Sequence, residues 1–450
     1  MTSRNIWTIK SPYKFIAKHS KKTGIAGAAI AVLAMTVPAV TGEKDEVYKL
    51  TTAIQVPGVA QFFSFDISFV DPALKKYFLT DRNNKTIDVV DTTTNTIKQF
   101  PNPGFAGLVN NNNDISGPDG VLTVHQADGR TELWIGDSPG KVWVMDANNG
   151  SILGPPISVG GTTRADELCF SPRDHEVMIA SPGEDPPFVT FIDTVTRKVL
   201  SKLTFDGKGG TLKATNGLEQ CQWSRKTGKF YQNVPEVNGP GNDTAPGAVA
   251  VIDPKTRQVE KSFPVPLAAC AGPQGMAIGP ENQILLGCSA PSPNGHRNSV
   301  IINAHNGAIE AVLVDQGGAD EVWFNSGDET YVIPHCNTPC RAVPSTGQEL
   351  VGVVDSDEFE VDQDIVIASK TTTATAGAAR RIHSAAADPH RNQIYVPIPA
   401  IGGAQPTYAP NICSSAPKKV GNPTDAGGCI AVFAKRDNDD DHGDDRGKDH

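Results

Sequence analysis

Seven times along this chain an apolar stretch opens with a polar residue able to ligate a metal, and the copies lie about fifty residues apart. They read Phe65-Asp66-Ile67, Pro118-Asp119-Gly120-Val121, Asp166-Glu167-Leu168, Leu218-Glu219-Gln220-Cys221, Pro273-Gln274-Gly275-Met276, Asp320-Glu321-Val322 and Ile382-His383-Ser384. Self-similarity at a fixed period marks a repeat architecture, because each unit can bury its apolar face only against its neighbours. A second series runs in step with the first. It comprises Ile87-Asp88-Val89-Val90-Asp91, Val142-Trp143-Val144-Met145-Asp146, Val189-Thr190-Phe191-Ile192-Asp193, Val249-Ala250-Val251-Ile252-Asp253, Val300-Ile301-Ile302-Asn303 and Val351-Gly352-Val353-Val354-Asp355. Each is an apolar run ending in Asp or Asn, and a turn rich in Thr, Asn, Lys or Gly follows most of them. If seven such units close into a ring, the seven opening residues all point at one axis.

Short β-branched runs between turn residues, with no long helical pattern after the N-terminal region, predict an all-β chain. A closed β architecture can use the whole length as one domain. The net charge of -10 argues against a nucleic-acid partner, since phosphate binding needs a basic face. At the N-terminus, Arg4, Lys10, Lys14, Lys18, Lys21 and Lys22 precede an apolar run over 24–40 with Val37-Pro38-Ala39 as a small-residue cleavage site. That is the order of a secretory signal. The run is close to the shortest that spans a bilayer, so residues 1–42 read either as a signal peptide or as an uncleaved anchor. Both place the chain outside the cytoplasm, in the periplasm or beyond. Eight cysteines in an exported chain predict disulfides rather than metal thiolates, as no CxxC pair is present. The repeats place Cys169 and Cys221 in adjacent inner strands, and Cys270 and Cys288 in one unit. They place Cys336 with Cys340 around a short turn and Cys413 with Cys429 around a Gly/Pro-rich loop. Residues 436–450, almost without apolar groups, are expected to be a disordered acidic tail.

Unit one should supply strands near 65–70, 77–80, 86–91 and 96–100, and later units begin near 118, 166, 217, 273 and 320. The seventh, from about 381, has three strands, near 382–387, 393–397 and 430–434, and lacks its outermost. The strand at 48–56, ahead of unit one, fits that gap. The turns Val90-Asp91-Thr92-Thr93-Thr94, Ile192-Asp193-Thr194-Val195-Thr196 and Ile252-Asp253-Pro254-Lys255-Thr256 resemble those of seven-bladed β-propellers with YVTN-type repeats, within the quinoprotein amine dehydrogenase-like group. The resemblance covers 45–435. It implies an all-β, seven-bladed β-propeller closed by an N-terminal strand. It leaves function open, because propellers host many chemistries.

In a propeller the innermost strands line a central channel. Asp66, Asp119, Glu167, Glu219, Gln274, Glu321 and His383 would then ring one mouth, with Asp166 and Asp320 as alternatives beside Glu167 and Glu321. Five converging carboxylates must protonate, pair with bases or hold a cation. No Lys or Arg falls at an equivalent position, although Arg164, Arg380 and Arg381 lie near in sequence. A divalent metal is therefore the economical expectation. Oxygen donors favour Ca²⁺ first, with Mg²⁺ or Mn²⁺ behind it, and His383 extends the choice to Zn²⁺, Fe²⁺ or Cu²⁺. The bland alternative is a wet polar channel. A second ring of Asp81, Asp137, Ser181, Asn233, Ser289 and His335 follows the second strands, and turn chemistry explains it equally well.

Two classes of function follow. One is a metal-dependent lyase, hydrolase or lactonase acting on a small molecule, with His383 and Glu219 as proton-moving groups. Propeller lactonases and streptogramin-type lyases are similar in plan, although the lactonases use Asn-rich ligation on six blades. The other is a secreted, non-catalytic binding protein. A quinone-linked oxidoreductase component is implied by the group resemblance alone.

Overall fold

Blade 1 shows how local sequence sets the repeat. Phe65–Asp71, Lys76–Asp81, Thr86–Asp91 and Ile97–Gln99 form one antiparallel sheet in chain order. Its hairpins turn on Lys75, Lys85 and Asn95, each at positive φ. At the third turn the Asp91 carboxylate accepts the backbone N–H groups of Thr93 and Thr94, both at 2.9 Å, so the side chain itself closes the turn. Asp146, Asp193, Asp253, Asn303 and Asp355 accept backbone N–H groups in the same way. The recurring Asp of the second series is thus a turn residue.

This computed structural model describes residues 47–336, 348–370, 382–400, 408–409 and 412–435. Seven sheets make a seven-bladed β-propeller. Middle strands are apolar on both faces because each sheet is covered on both sides. Tyr77, Phe78 and Leu79 of blade 1 are all buried, as are Leu133, Trp134 and Ile135 of blade 2. The core is therefore split among the blade interfaces. One cluster joins Phe78, Ile87 and Val89 of blade 1 to Leu133, Ile135 and Met145 of blade 2. At the closing interface Tyr77 stacks on Tyr395, ring centres 4.9 Å apart.

Blade 7 closes the ring. Its sheet runs Ala386–Asp388, Gln393–Ile398, Cys429–Lys435, then the N-terminal strand Tyr48–Ile54, then Lys418–Val420. Tyr48–Ile54 pairs antiparallel with Cys429–Lys435, from Tyr48 opposite Lys435 to Ile54 opposite Ile430. The surplus strand fills the gap as expected. The parallel strand Lys418–Val420 on its far side was not expected, since it lies in a loop rich in Gly and Pro.

The ring residues do not all begin their strands. Inner strands Leu168–Ser171, Cys221–Trp223, Trp323–Asn325 and Ala386–Asp388 start after Glu167, Glu219, Glu321 and His383. Backbone groups there bond the next blade as well as their own. Gln220 N–H donates to Gln274 O at 3.2 Å and Glu321 N–H to His383 O at 2.9 Å.

Disulfides join Cys169 to Cys221, Cys270 to Cys288, and Cys413 to Cys429. Cys336 is also disulfide-bonded, and its expected partner Cys340 lies outside the described residues. So do the leader and the acidic tail. The Cys169–Cys221 bridge links blades 3 and 4 and spans 52 residues, against 18 and 16 for the other two. Constraining the unfolded chain scales with the logarithm of that span. Replacing Cys169 and Cys221 by Ser should therefore cost about 4 kcal/mol, the most of the three, in a denaturant titration.

Candidate functional site

Three aspartates meet on the axis at one end of the inner strands. Asp66 lies within Phe65–Asp71, Asp119 precedes Val121–His125, and Asp166 precedes Leu168–Ser171. One carboxylate oxygen from each falls within 4.8 Å of the others. Glycine makes the approach of blades 2 and 3 possible. A Cβ on Gly120 would run into the Asp166 carbonyl oxygen, and one on Gly136 into that of Ala165.

Two arginines reach into this cluster. Arg82 follows the second strand of blade 1 and is buried. Its Nη2 donates to Asp66 Oδ2 at 2.5 Å and to Asp119 Oδ1, which Nε also reaches at 2.9 Å. Arg164 Nε lies 2.8 Å from Asp166 Oδ2. The expectation that no base offsets the ring is corrected here. The period could not reveal Arg82, because that residue belongs to a second strand and folds back across the channel mouth. Arg164 was visible in sequence as a neighbour, but its direction was not. Arg380 and Arg381 lie outside the described residues.

Arg82 bonds one oxygen of Asp119, and Arg164 lies against one oxygen of Asp166 as an ion pair in which Nε makes no hydrogen bond. Asp119 Oδ2 and Asp166 Oδ1 are buried, with no hydrogen-bond partner among the described residues.

The other ring positions divide into pairs. Glu167 and Glu321 share a side-chain hydrogen bond. Gln274 Nε2 donates to Glu219 Oε1 at 3.2 Å. His383 stacks on Phe65 with ring centres 5.1 Å apart, and its Nδ1 lies 3.8 Å from Asp320 Oδ2. Of the seven sequence-derived positions the tight triad takes Asp66 and Asp119, has Asp166 in place of Glu167, and leaves Glu219, Gln274, Glu321 and His383 outside it.

Burial dominates the electrostatics. It pushes the Asp166 carboxyl up to about 6, with Arg164 opposing and Asp66 adding to the rise. It pushes Glu167 up to about 8, with the Glu321 hydrogen bond opposing and Asp166 adding. Asp119, Glu219 and Glu321 also lie well above the carboxylate range, for the same first cause. In the unfolded chain these groups ionise near 3.8 and 4.5. The folded state therefore holds more protons in between, and the stability this contributes is present at low pH and lost as pH rises through about 6 and then 8. In chelator, the melting temperature should fall as pH is raised from about 5 to about 8.5. A scanning calorimeter reads this directly, and a flat or rising profile would contradict it.

The second ring is bonded in all but one position. Asp81 accepts from Asn84, Asp137 from Ala106 N and Trp143 Nε1, and Asn233 donates to the Gln274 and Gly275 carbonyls. Ser289 Oγ bonds Asp243 and His335 Nε2 bonds Asp364, while Ser181 Oγ, Asn233 Oδ1 and His335 Nδ1 are buried without a partner among the described residues. Turn and inter-blade bonding accounts for most of it. His125, at the end of the inner strand of blade 2, is half-exposed, and its Nε2 lies 2.9 Å from the buried Asp71 of blade 1.

Fold and site together define a seven-bladed β-propeller with an acidic axial cluster threaded by two arginines. No family model matches the chain, and no curated protein matches it. Among solved structures 1343 chains match. One, from the crystal structure of a mitotic checkpoint complex, is 12% identical with a TM-score of 0.52, over 82% of this chain and 95% of that one. Another, the structure of U3-55K, is 10% identical with a TM-score of 0.55, over 85% and 98%. At such identities the likeness is one of fold alone.

Proposed function

We propose that this is an exported propeller, related to the YVTN-type repeats, that holds one divalent cation between Asp66, Asp119 and Asp166. The observation that carries the reading is the pair of buried, unpartnered oxygens, Asp119 Oδ2 and Asp166 Oδ1. A buried acceptor with no donor is costly, and a cation relieves it. The charge count points the same way. Among the described residues, Asp66, Asp119, Asp166, Glu167, Glu219, Asp320 and Glu321 interact through their charges, with Arg82 and Arg164 opposing. Calcium binds oxygen at about 2.3–2.6 Å, which allows ligand oxygens as far apart as those of the triad. An all-oxygen donor set ranks Ca²⁺ ahead of the softer metals. Three disulfides accord with export.

Such a cation would polarise an oxygen of a bound small molecule. His383 and Glu219 stand near it as groups able to move a proton. On this reading the chemistry is that of a lyase, hydrolase or lactonase. The non-catalytic binding protein is favoured by a different observation: Arg82 and Arg164 already neutralise part of the cluster. Elemental analysis separates the two. The protein dialysed against Ca²⁺ should retain about one equivalent and melt higher than in chelator, by mass action on the native state. The variant Asp119→Asn/Asp166→Asn should retain none. A parent chain that holds no cation and melts alike in both buffers leaves the arginine-pinned binding protein.

A further inference from the structure

Beyond the acidic cluster, further along the inner strands, the channel opens into a cavity of about 390 Å³. Among the described residues, blades 1 to 6 line it. The inner stretch of blade 7 includes the small Ala385, Ala386 and Ala387, and Phe69 of blade 1 meets Trp323 of blade 6. Their centres are 5.5 Å apart and their planes 80° apart, so the two rings form a corner. Phe170 and Trp223 add aromatic wall, and all four rings are only partly buried. Trp223 already has the Arg173 guanidinium 5.8 Å from its centre. Glu167, buried and bonded to Glu321, reaches the cavity, and no basic residue among the described ones lines it.

Aromatic walls around an acidic group select a cation that carries its own apolar surface. Of the polar wall groups, Ser68 Oγ is bonded to Ser384 Oγ at 2.8 Å, Thr123 Oγ1 donates to Asp71 Oδ2 at 2.8 Å, and Gln220 Oε1 accepts from the Met276 and Val322 backbone N–H groups. Gln222 and Ser326 complete the polar lining. A methylated ammonium needs no hydrogen-bond acceptor, and its apolar surface suits the aromatic wall.

We propose that this cavity binds a small quaternary ammonium compound, its methylated head against Phe69, Phe170 and Trp323 and beside the Glu167–Glu321 pair. The site is separate from the Asp66–Asp119–Asp166 cluster and does not require a divalent cation. The test therefore uses the whole protein in chelator. Choline and its uncharged carbon isostere, 3,3-dimethylbutan-1-ol, are titrated while tryptophan emission and heat are followed. Choline should bind saturably and shift the emission, and the isostere should bind at least about tenfold more weakly. Trp323→Leu and Phe170→Leu should each weaken choline binding several-fold. Absence of saturable choline binding, equal binding of the isostere, or full choline binding by both aromatic variants would overturn the assignment.

Discussion

Replacing Arg82 by Leu should destabilise the propeller by about 3–5 kcal/mol at neutral pH, because removing one partner of a buried ion pair strands the others. The guanidinium is 3% exposed, Asp119 is wholly buried, and Asp66 is 16% exposed. Arg82 also donates to Asn113 in the loop ahead of blade 2, so it joins two blades as well as two charges. The deficit should depend on pH with a definite sign. Without the guanidinium, Asp119 can stay buried only as a neutral acid, which raises its folded pKa further above the unfolded one. The stability that remains is then present at low pH and lost as pH rises. Urea titrations of parent and variant should differ more at pH about 7.5 than at about 4.5. Adding Asp119→Asn to Arg82→Leu should recover part of the loss, since it removes the stranded charge. A variant that matches the parent at both pH values would mean the pair contributes nothing net.

Deleting residues 47–54 should be still more damaging. Without Tyr48–Ile54, the strand Cys429–Lys435 loses the partner that pairs from Lys435 to Ile430. An apolar edge strand is then bared, a template for association with other chains. Ala53 and Ile54 are fully buried, so their contacts go too. Tyr48 adds a tie to blade 6: its hydroxyl donates to Asp328 Oδ2 at 2.6 Å, and its backbone N–H donates to Gln363 Oε1 at 2.8 Å. The truncated chain should aggregate or melt without a single sharp transition. A synthetic peptide of residues 47–56 supplied in trans should restore part of the cooperative melt, as strand addition does at open sheet edges. A truncated monomer that melts as the parent does would show that the ring closes by other means.

The ring of strands was legible because its signals repeat. Asp91, Asp146, Asp193, Asp253, Asn303 and Asp355 sit at one offset in six units, and each closes the same turn. The cysteine pairs followed once those units were aligned. What could not be read depends on direction in space. Asp166 and Glu167 are adjacent in sequence, and only the start of Leu168–Ser171 decides which joins Asp66 and Asp119. Arg82 has no counterpart in the other units, so no periodic argument finds it. The aromatic cavity was hidden for a different reason. Phe69, Phe170 and Trp323 lie a few residues past the ring positions and look like ordinary core until the fold brings them to one cavity. The parallel strand Lys418–Val420 carries two lysines and gives no strand pattern, yet it covers the edge of Tyr48–Ile54. Short charged segments suit that task.

The central claim, a divalent cation among the three axial aspartates, is met most directly by diffraction from crystals of the protein grown with Mn²⁺, with data collected to show the anomalous signal of the metal. The account predicts one strong peak on the axis, touching Asp119 Oδ2 and Asp166 Oδ1, with Asp66 beside it and Arg82 and Arg164 still on their own oxygens. A map with no peak there, and with the two guanidiniums alone filling the space between the carboxylates, would contradict it.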